Sequence, residues 1–254
     1  MNFNTPTTAA HDRVARRRAG IRAGGRSLIS AIGVVILVLT ANTVAHAQAN
    51  LDDESSQSDK AARVFREIMD TPDKGIPQDL LEKAECVAVF PSVIQAGFIV
   101  GGRGGRGVAS CRTTEGWSAP AFFTLGGGSV GFQIGAQSTD FVMLFMNTDG
   151  LDSLLSNEFT LGGDASVAAG PVGRQAGAST DLKLEAKILS YSRARGVFAG
   201  IALTGATLRQ DLDQNAEMYG TPFTNEMIVS GNSKPPAGAT DLLAVLGKYP
   251  PVGK

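Results

Sequence analysis

The chain has 254 residues, 43% of them hydrophobic and 19% charged, which is a globular composition and excludes a disordered or fibrous protein. Its two histidines, His11 and His46, both lie in the first 47 residues, so a mature form without that segment has no imidazole base or metal ligand. We therefore predict that the protein is not an enzyme and binds no cofactor and no metal.

The first 47 residues have the pattern of a secretory signal peptide. Six arginines precede an apolar run over residues 28–40, and Ala45-His46-Ala47 has the small-x-small form of a signal peptidase site. The run is shorter than the roughly 20 residues of a membrane-spanning helix, and an uncleaved anchor is the alternative. We predict cleavage after Ala47 and a periplasmic or secreted protein, not a lipoprotein, because no Cys lies near the site.

Removal of residues 1–47 makes the remaining chain acidic. This leader carries six Arg and one Asp, so the net charge changes from −1 to about −6. Binding to nucleic acid needs clustered positive charge, and we exclude it as a general function. Binding to anionic lipid would need a local basic patch.

Polar residues 48–57 predict a flexible lead-in, and the pattern then becomes helical over Ser58–Thr71. The apolar residues recur at i, i+3, i+4, i+7 and i+8, which places them on one face, and Ser58 is the expected N-cap. A second short helix is predicted over Gln78–Ala84. Three basic residues share the polar side of the first helix: Lys60, Arg63 and Arg66.

From Cys86 the pattern changes to short strands with turns at roughly ten-residue spacing, which is typical of a sheet or barrel. A turn is expected at Gly101–Gly107, helical turns at Asp149–Ser156 and a helix at Ala206–Met218. Repeated glycines inside strands, as at Gly97, Gly131 and Gly135, indicate tight curvature or the close approach of another backbone. The predicted strands are 86–90, 94–102, 108–112, 119–125, 129–136, 141–146, 182–192 and 197–203.

These elements predict one α+β domain over residues 58–229. We expect a strongly curved antiparallel sheet or partly closed barrel with short helices packed at one side. A linker and a short C-terminal helical turn are expected over residues 230–254.

Cys86 and Cys111 are the two cysteines of the chain. In an oxidising compartment such a pair predicts a disulfide. Two buried reduced thiols are the alternative, and two sulfurs without histidine make a weak metal site.

Two short motifs resemble catalytic signatures without their context. Gly102–Gly107 satisfies G-x-G-x-x-G, but a β pattern follows it instead of a helix, so a hairpin connection is expected. Gly127–Gly131 satisfies G-x-S-x-G, but the strand-to-helix turn and the histidine of a hydrolase are missing. Five aspartates are predicted to form caps and turns, with a calcium site or a glycosidase-like carboxylate pair as the alternative: Asp140, Asp149, Asp152, Asp164 and Asp181.

Two further basic pairs are candidates for ligand contact. Arg193 and Arg195 are two residues apart and would project from one face of a strand, and Arg103 and Arg106 lie in the glycine-rich turn. The alternatives are a solvated strand end with neutralising carboxylates nearby and, for the helix, a solvated face over a core contact.

Six blocks in this order resemble the SYLF family, which includes yeast actin-binding proteins and many exported bacterial ones. The resemblance covers about residues 58–220. The blocks are Ala84–Pro91, Ala96–Gly102, Trp117–Phe123, Gln133–Asp140, Gly163–Arg174 and Ser190–Gly200.

The resemblance implies binding of phosphoinositide or other anionic lipid by an N-terminal amphipathic helix and basic residues. Lys60, Arg63 and Arg66 match that helix in position, and Arg103, Arg106, Arg193 and Arg195 are the further candidates. Actin is not expected as a partner of an exported bacterial protein. A structural or partner-binding role in the envelope is the alternative function.

Overall fold

The computed structural model describes residues 57–71, 75–173, 186–194, 197–201 and 203–250, without the side chains of 98–100, 129–135, 198 and 200. These residues form an α+β domain whose mixed, eight-stranded sheet is curled into a half-barrel. The predicted fold class is therefore confirmed. No helix in the described ranges is long and apolar enough to cross a membrane.

Helix α1 covers residues 57–69 and packs on the sheet. Ser58 is not its N-cap, because the helix already includes residue 57, and the buried Ser58 Oγ has no hydrogen-bond partner in the described part of the chain. Helix α2 follows at Gln78–Lys83. Four of the five residues predicted to share the apolar face of α1 are buried, and the fifth, Met69, is half-buried against the core. The four are Ala61, Val64, Phe65 and Ile68.

Two long strands form the centre of the sheet: β1, Cys86–Thr113, and β3, Ala121–Phe145. The short strand β2, Gly116–Trp117, lies between them in the sequence and pairs with β1. β1 and β3 pair antiparallel along almost their whole length. The prediction of six shorter strands here, with a turn at Gly101–Gly107, is wrong. The glycine runs keep their place in the ladder and bend the strands instead of ending them.

Strand β1 doubles back on itself. The 25 residues that separate Cys86 from Cys111 would span about 80 Å in a straight strand, yet their Cα atoms are 4.0 Å apart. The two cysteines form a disulfide, as predicted. Beside it, the amide of Arg112 donates to the Glu85 carbonyl at 2.8 Å. These four residues are the β1 joint.

Glycine permits this close approach. A Cβ added at Gly107 would lie 2.3 Å from Cδ1 of Phe90, and one added at Gly105 would lie 2.8 Å from Cγ2 of Val93. The tight curvature predicted from glycines inside strands is present here, at two glycines that the prediction placed in a turn.

The other strands extend the sheet from β3. Strand β6, Ile188–Ala194, pairs with the C-terminal half of β3, and β8, Thr207–Gln210, pairs with its N-terminal half. Strand β4, Glu158–Thr160, lies beside β8, and β7, Val197–Gly200, lies beside β6. Strand β5, Val167–Ala169, pairs parallel with β6, which makes the sheet mixed.

The later helices are short. The predicted helix Ala206–Met218 is wrong in its first part, because β8 occupies residues 207–210 and Asp211 caps the following helix by accepting from the Gln214 amide. The helices are α3, Thr148–Leu155; α4, Leu212–Tyr219; α5, Asn225–Met227; a π-turn, Ile228–Asn232; a 3-10 turn, Ala237–Ala239; and α6, Thr240–Leu246.

Alternate residues of the central strands face two hydrophobic clusters. Val89 and Phe122 pack with α1, α2 and α6 on one side of the sheet. Phe90 and Phe141 pack on the other side, with Leu154 of α3 and residues of β4 and β8. Both sides of the sheet centre are therefore covered, and α1 is part of the core.

Candidate functional site

Helix α1 presents its basic residues outward because its apolar residues fill the core. Arg63 and Arg66 are exposed, and Lys60 is half-buried. Asp59, Glu67 and Asp70 lie among them, so the charge of the polar side is mixed.

Arg106 of β1 lies beside the start of α1. The side-chain Nε2 of Gln57 donates to the Arg106 carbonyl at 2.8 Å, and the Arg106 side chain is exposed. Lys60 is one turn further along the same side of the helix as Gln57. The structure thus brings one residue of a second predicted basic group, Arg106, beside the basic helix. The residues Lys60, Arg63, Arg66 and Arg106 are here named the basic surface.

Arg193 belongs to an ion-pair cluster at the other end of α1. Its Nε and Nη2 donate to Oδ2 of Asp140 at 3.1 and 2.7 Å, and its Nη1 pairs with Glu67. Burial alone would lower the pKa of Arg193, but the hydrogen bonds and charges of Asp140 and Glu67 outweigh it and raise that pKa. Arg193 therefore ties α1 to β3, and neutralising carboxylates are present, as the alternative interpretation expected.

Arg103 lies apart from the basic surface. It is half-buried opposite Gly127, and its Nε has no hydrogen-bond partner in the described ranges. Burial lowers the pKa of Arg103. Arg195, the last of the seven predicted contact residues, lies outside the described residues.

Three of the five predicted turn aspartates line one cleft of about 410 Å³: Asp149, Asp152 and Asp164. Asp149 pairs with Lys187 at 3.2 Å, and Asp164 accepts from the Thr160 amide at 2.7 Å, as a turn former does. Among the described residues, no three His, Cys, Asp or Glu side chains lie close enough together to hold a metal ion.

A second cleft, of about 320 Å³, lies beside Arg112 and Trp117. Arg112 stacks 4.2 Å from the centre of the Trp117 ring and donates to carbonyls of Leu81, Ala84 and Tyr249. No sequence pattern pointed to this pair. Arg112 binds the C-terminal end of α2 and the segment after α6, which is a structural role.

Comparison with known proteins matches residues 126–249 to the family described as "Ysc84: Las17-binding protein actin regulator". The chain is 36% identical over 205 residues to SH3 domain-containing YSC84-like protein 1 of Rattus norvegicus, covering 79% of this chain and 60% of that protein.

Two proteins of Saccharomyces cerevisiae are similar to the same extent. LAS seventeen-binding protein 3 is 35% identical and Protein YSC84 is 36% identical, each over 202 residues and 75% of this chain. The chain covers 43% and 42% of their lengths. It therefore spans between two fifths and three fifths of the relatives that it matches.

Proposed function

Because the chain contains a domain of the Ysc84 (SYLF) family, we propose that it is a non-enzymatic, exported binding module for anionic lipid. Its ligand is a phosphoinositide-like headgroup or the anionic surface of a membrane. The family description names binding and regulation, and the chain after residue 47 contains no histidine, which supports a binding function over a catalytic one.

The observation that carries the proposal is the basic surface. The Gln57 side chain joins the start of α1 to the Arg106 backbone, which places Arg106 beside the helix turn that carries Lys60, on a chain whose net charge is about −6 without residues 1–47. Glu67, the acidic residue nearest Arg66 in sequence, is engaged by Arg193, which leaves the cations of α1 less opposed.

The polar side of α1 is the lipid-contacting side in this proposal, because the apolar side is in the core. Each basic residue near an anionic surface contributes roughly 1 kcal/mol, so four of them give about 4 kcal/mol. The affinity is therefore modest and decreases with salt. Arg193 contributes by holding α1 in place.

Vesicle co-sedimentation with Lys60/Arg63/Arg66→Ala tests the assignment. We expect binding to vesicles of phosphatidylcholine and phosphatidylglycerol to weaken by about two orders of magnitude. The charge-matched control is Lys83/Arg209/Lys248→Ala, since these residues are exposed and lie outside the basic surface. Equal loss in both variants would show that net charge alone governs binding and would refute the assignment.

A protein partner is the second candidate function. The observation that favours it is the description of the family as Las17-binding and actin-regulating. For an exported protein the partner would be a protein of the envelope, and actin is not expected. Capture of the same envelope protein with and without lipid would favour this function.

Export itself is part of the proposal. The basic, apolar and Ala45-His46-Ala47 segments support cleavage after Ala47 and a periplasmic or secreted location. N-terminal sequencing of the protein from its native cell tests this, and we expect Gln48 as the first residue. An intact Met1 would contradict cleavage.

A further inference from the structure

In the middle parts of β1 and β3, the described side chains lie outside the hydrophobic core. Between Val93 and Val108 on β1, and between Leu125 and Phe141 on β3, no described residue belongs to either core cluster. These parts are residues 94–106 and 126–138, here named the bend. They remain paired as an antiparallel ribbon.

One side of the bend is exposed where its side chains are described. Along the described part of β1 in the bend, every second residue is accessible, whereas the residues between them, such as Gln95 and Arg103, are half-buried. The cross-strand register joins the exposed residues into one surface, with Ala96 opposite Ala136. Among the described side chains, this surface, the bend face, consists of Ile94, Ala96, Gly102, Gly104, Arg106, Gly128, Ala136 and Ser138.

The chemistry of the bend differs from that of an ordinary solvated sheet face. Its two sequence segments contain no Asp and no Glu, and Arg103 and Arg106 are their charged residues. Ile94 is 50% exposed. A Cβ added at Gly104 would meet no atom within 4 Å, so the strand backbone there is open. Exposed sheet faces normally carry charged and polar side chains, whereas Ile94, Ala96 and Ala136 on this face have none.

We infer that the bend face docks on an anionic lipid bilayer, with Ile94 entering the headgroup region. Cationic charge in segments that contain no carboxylate matches an anionic surface, and the apolar side chains and bare backbone match the boundary of the acyl chains. A bilayer is chosen over an acidic protein partner because the other exposed residues described on this face carry no charge and are mostly small.

This inference rests on the proposed function and assigns the orientation in which the protein docks on the bilayer. Arg106 belongs to both the bend face and the basic surface, so one docked orientation brings Arg106 and Lys60 to the headgroups together. The basic surface supplies electrostatic attraction, and the bend supplies apolar contact.

Site-specific fluorescence tests insertion. Ile94→Cys is labelled with the environment-sensitive fluorophore NBD, and Leu212→Cys is the matched control, because the two native side chains are 50% and 47% exposed. The native cysteines are joined in a disulfide, so the introduced thiol is the single labelling site. With vesicles of equal parts phosphatidylcholine and phosphatidylglycerol, we expect a blue shift and quenching by doxyl lipids at position 94 but not at 212.

Charge substitution gives a second readout. Ile94→Asp should weaken vesicle binding about thirtyfold, because it removes apolar contact and adds repulsion. Leu212→Asp should change it less than about threefold, although it adds the same charge. Thermal unfolding and circular dichroism verify that both variants are folded.

The outcomes separate this inference from the proposed function. Wild-type binding without any response at position 94 overturns the inference and leaves the proposed function in place. Absence of wild-type binding to the anionic vesicles overturns both. If Ile94→Asp changes the mass of an oligomer but not vesicle binding, the bend face is a protein interface and the inference is wrong.

Discussion

Removal of the disulfide tests the closure of β1 at its joint. The variant Cys86/Cys111→Ala opens a covalent loop whose ends are 25 residues apart in sequence. The loop-entropy relation gives about 3.5 kcal/mol of stabilisation at 25 °C for a loop of this size, because the cross-link restricts the unfolded chain. We expect the free energy of unfolding to decrease by about that amount.

The native joint should survive this substitution. The Arg112 amide still donates to the Glu85 carbonyl at 2.8 Å, and Phe90 still packs beside Gly107. Urea unfolding followed by circular dichroism measures the change, and the m-value should increase because the unfolded chain expands further without the cross-link. Wild type under reducing conditions is the control, since it loses the cross-link without the cavity that alanine leaves.

Two results would refute this reasoning. Equal stability of oxidised and reduced wild type would mean that the disulfide does not restrict the unfolded chain. Loss of the native β signal in the variant, at a stability well below the value from loop entropy, would mean that the hydrogen bond and packing at the joint cannot close β1 alone.

Three further predictions follow from single contacts. Arg193→Met removes the ion-pair partner of the mostly buried Asp140. The free energy of unfolding should decrease by about 2 kcal/mol, between the values for surface and buried ion pairs. If urea denaturation is unchanged, Arg193 does not tie α1 to β3. Gly107→Ala forces a Cβ to 2.3 Å from the Phe90 ring and should lower the free energy of unfolding by about 1–3 kcal/mol. The control Gly104→Ala meets no atom within 4 Å and should leave stability nearly unchanged. Equal melting temperatures of the two variants would contradict the close approach at Gly107. Burial raises the pKa of Tyr219, so its phenol stays neutral in the folded protein while that of the unfolded chain ionises near pH 10. The free energy of unfolding should therefore decrease as pH rises above about 10. The decrease should be smaller in Tyr219→Phe.

The sequence predicted elements whose signal is local. The 3.6-residue period of α1 identified its buried face, and two cysteines in a chain predicted to be exported identified the disulfide. The first prediction needed only the spacing of residues close together in the chain, since apolar side chains at the spacing of Phe65 and Ile68 share one helix face. The second needed only the residue type.

The sequence did not predict the continuity of the long strands. Glycine clusters such as Gly101–Gly107 usually end a strand, and here they bend it, because the β3 ladder on one edge keeps the backbone extended. That constraint comes from partner residues 16 to 28 positions away in the sequence and has no local signature. The strand at Thr207–Gln210 was mistaken for helix for the same reason, since its pairing with β3 and β4 overrides local preference.

The basic residues of the candidate site could be predicted from the sequence, but the residues that they contact could not. The clustering of Lys60, Arg63 and Arg66 is visible in the sequence. The link from Gln57 to Arg106 and the pairing of Arg193 with Glu67, 126 residues away, depend on how α1 lies across the sheet. No spacing rule relates such positions.

Equilibrium binding of the purified protein to vesicles across a series of salt concentrations tests the central claim most directly. Vesicles of phosphatidylcholine alone are compared with vesicles of equal parts phosphatidylcholine and phosphatidylglycerol. A lipid-binding module with the basic surface should bind the anionic vesicles at low salt, lose that binding progressively as salt screens the charges, and leave the neutral vesicles unbound. Equal binding to both vesicles, or none to the anionic ones at low salt, would contradict the account.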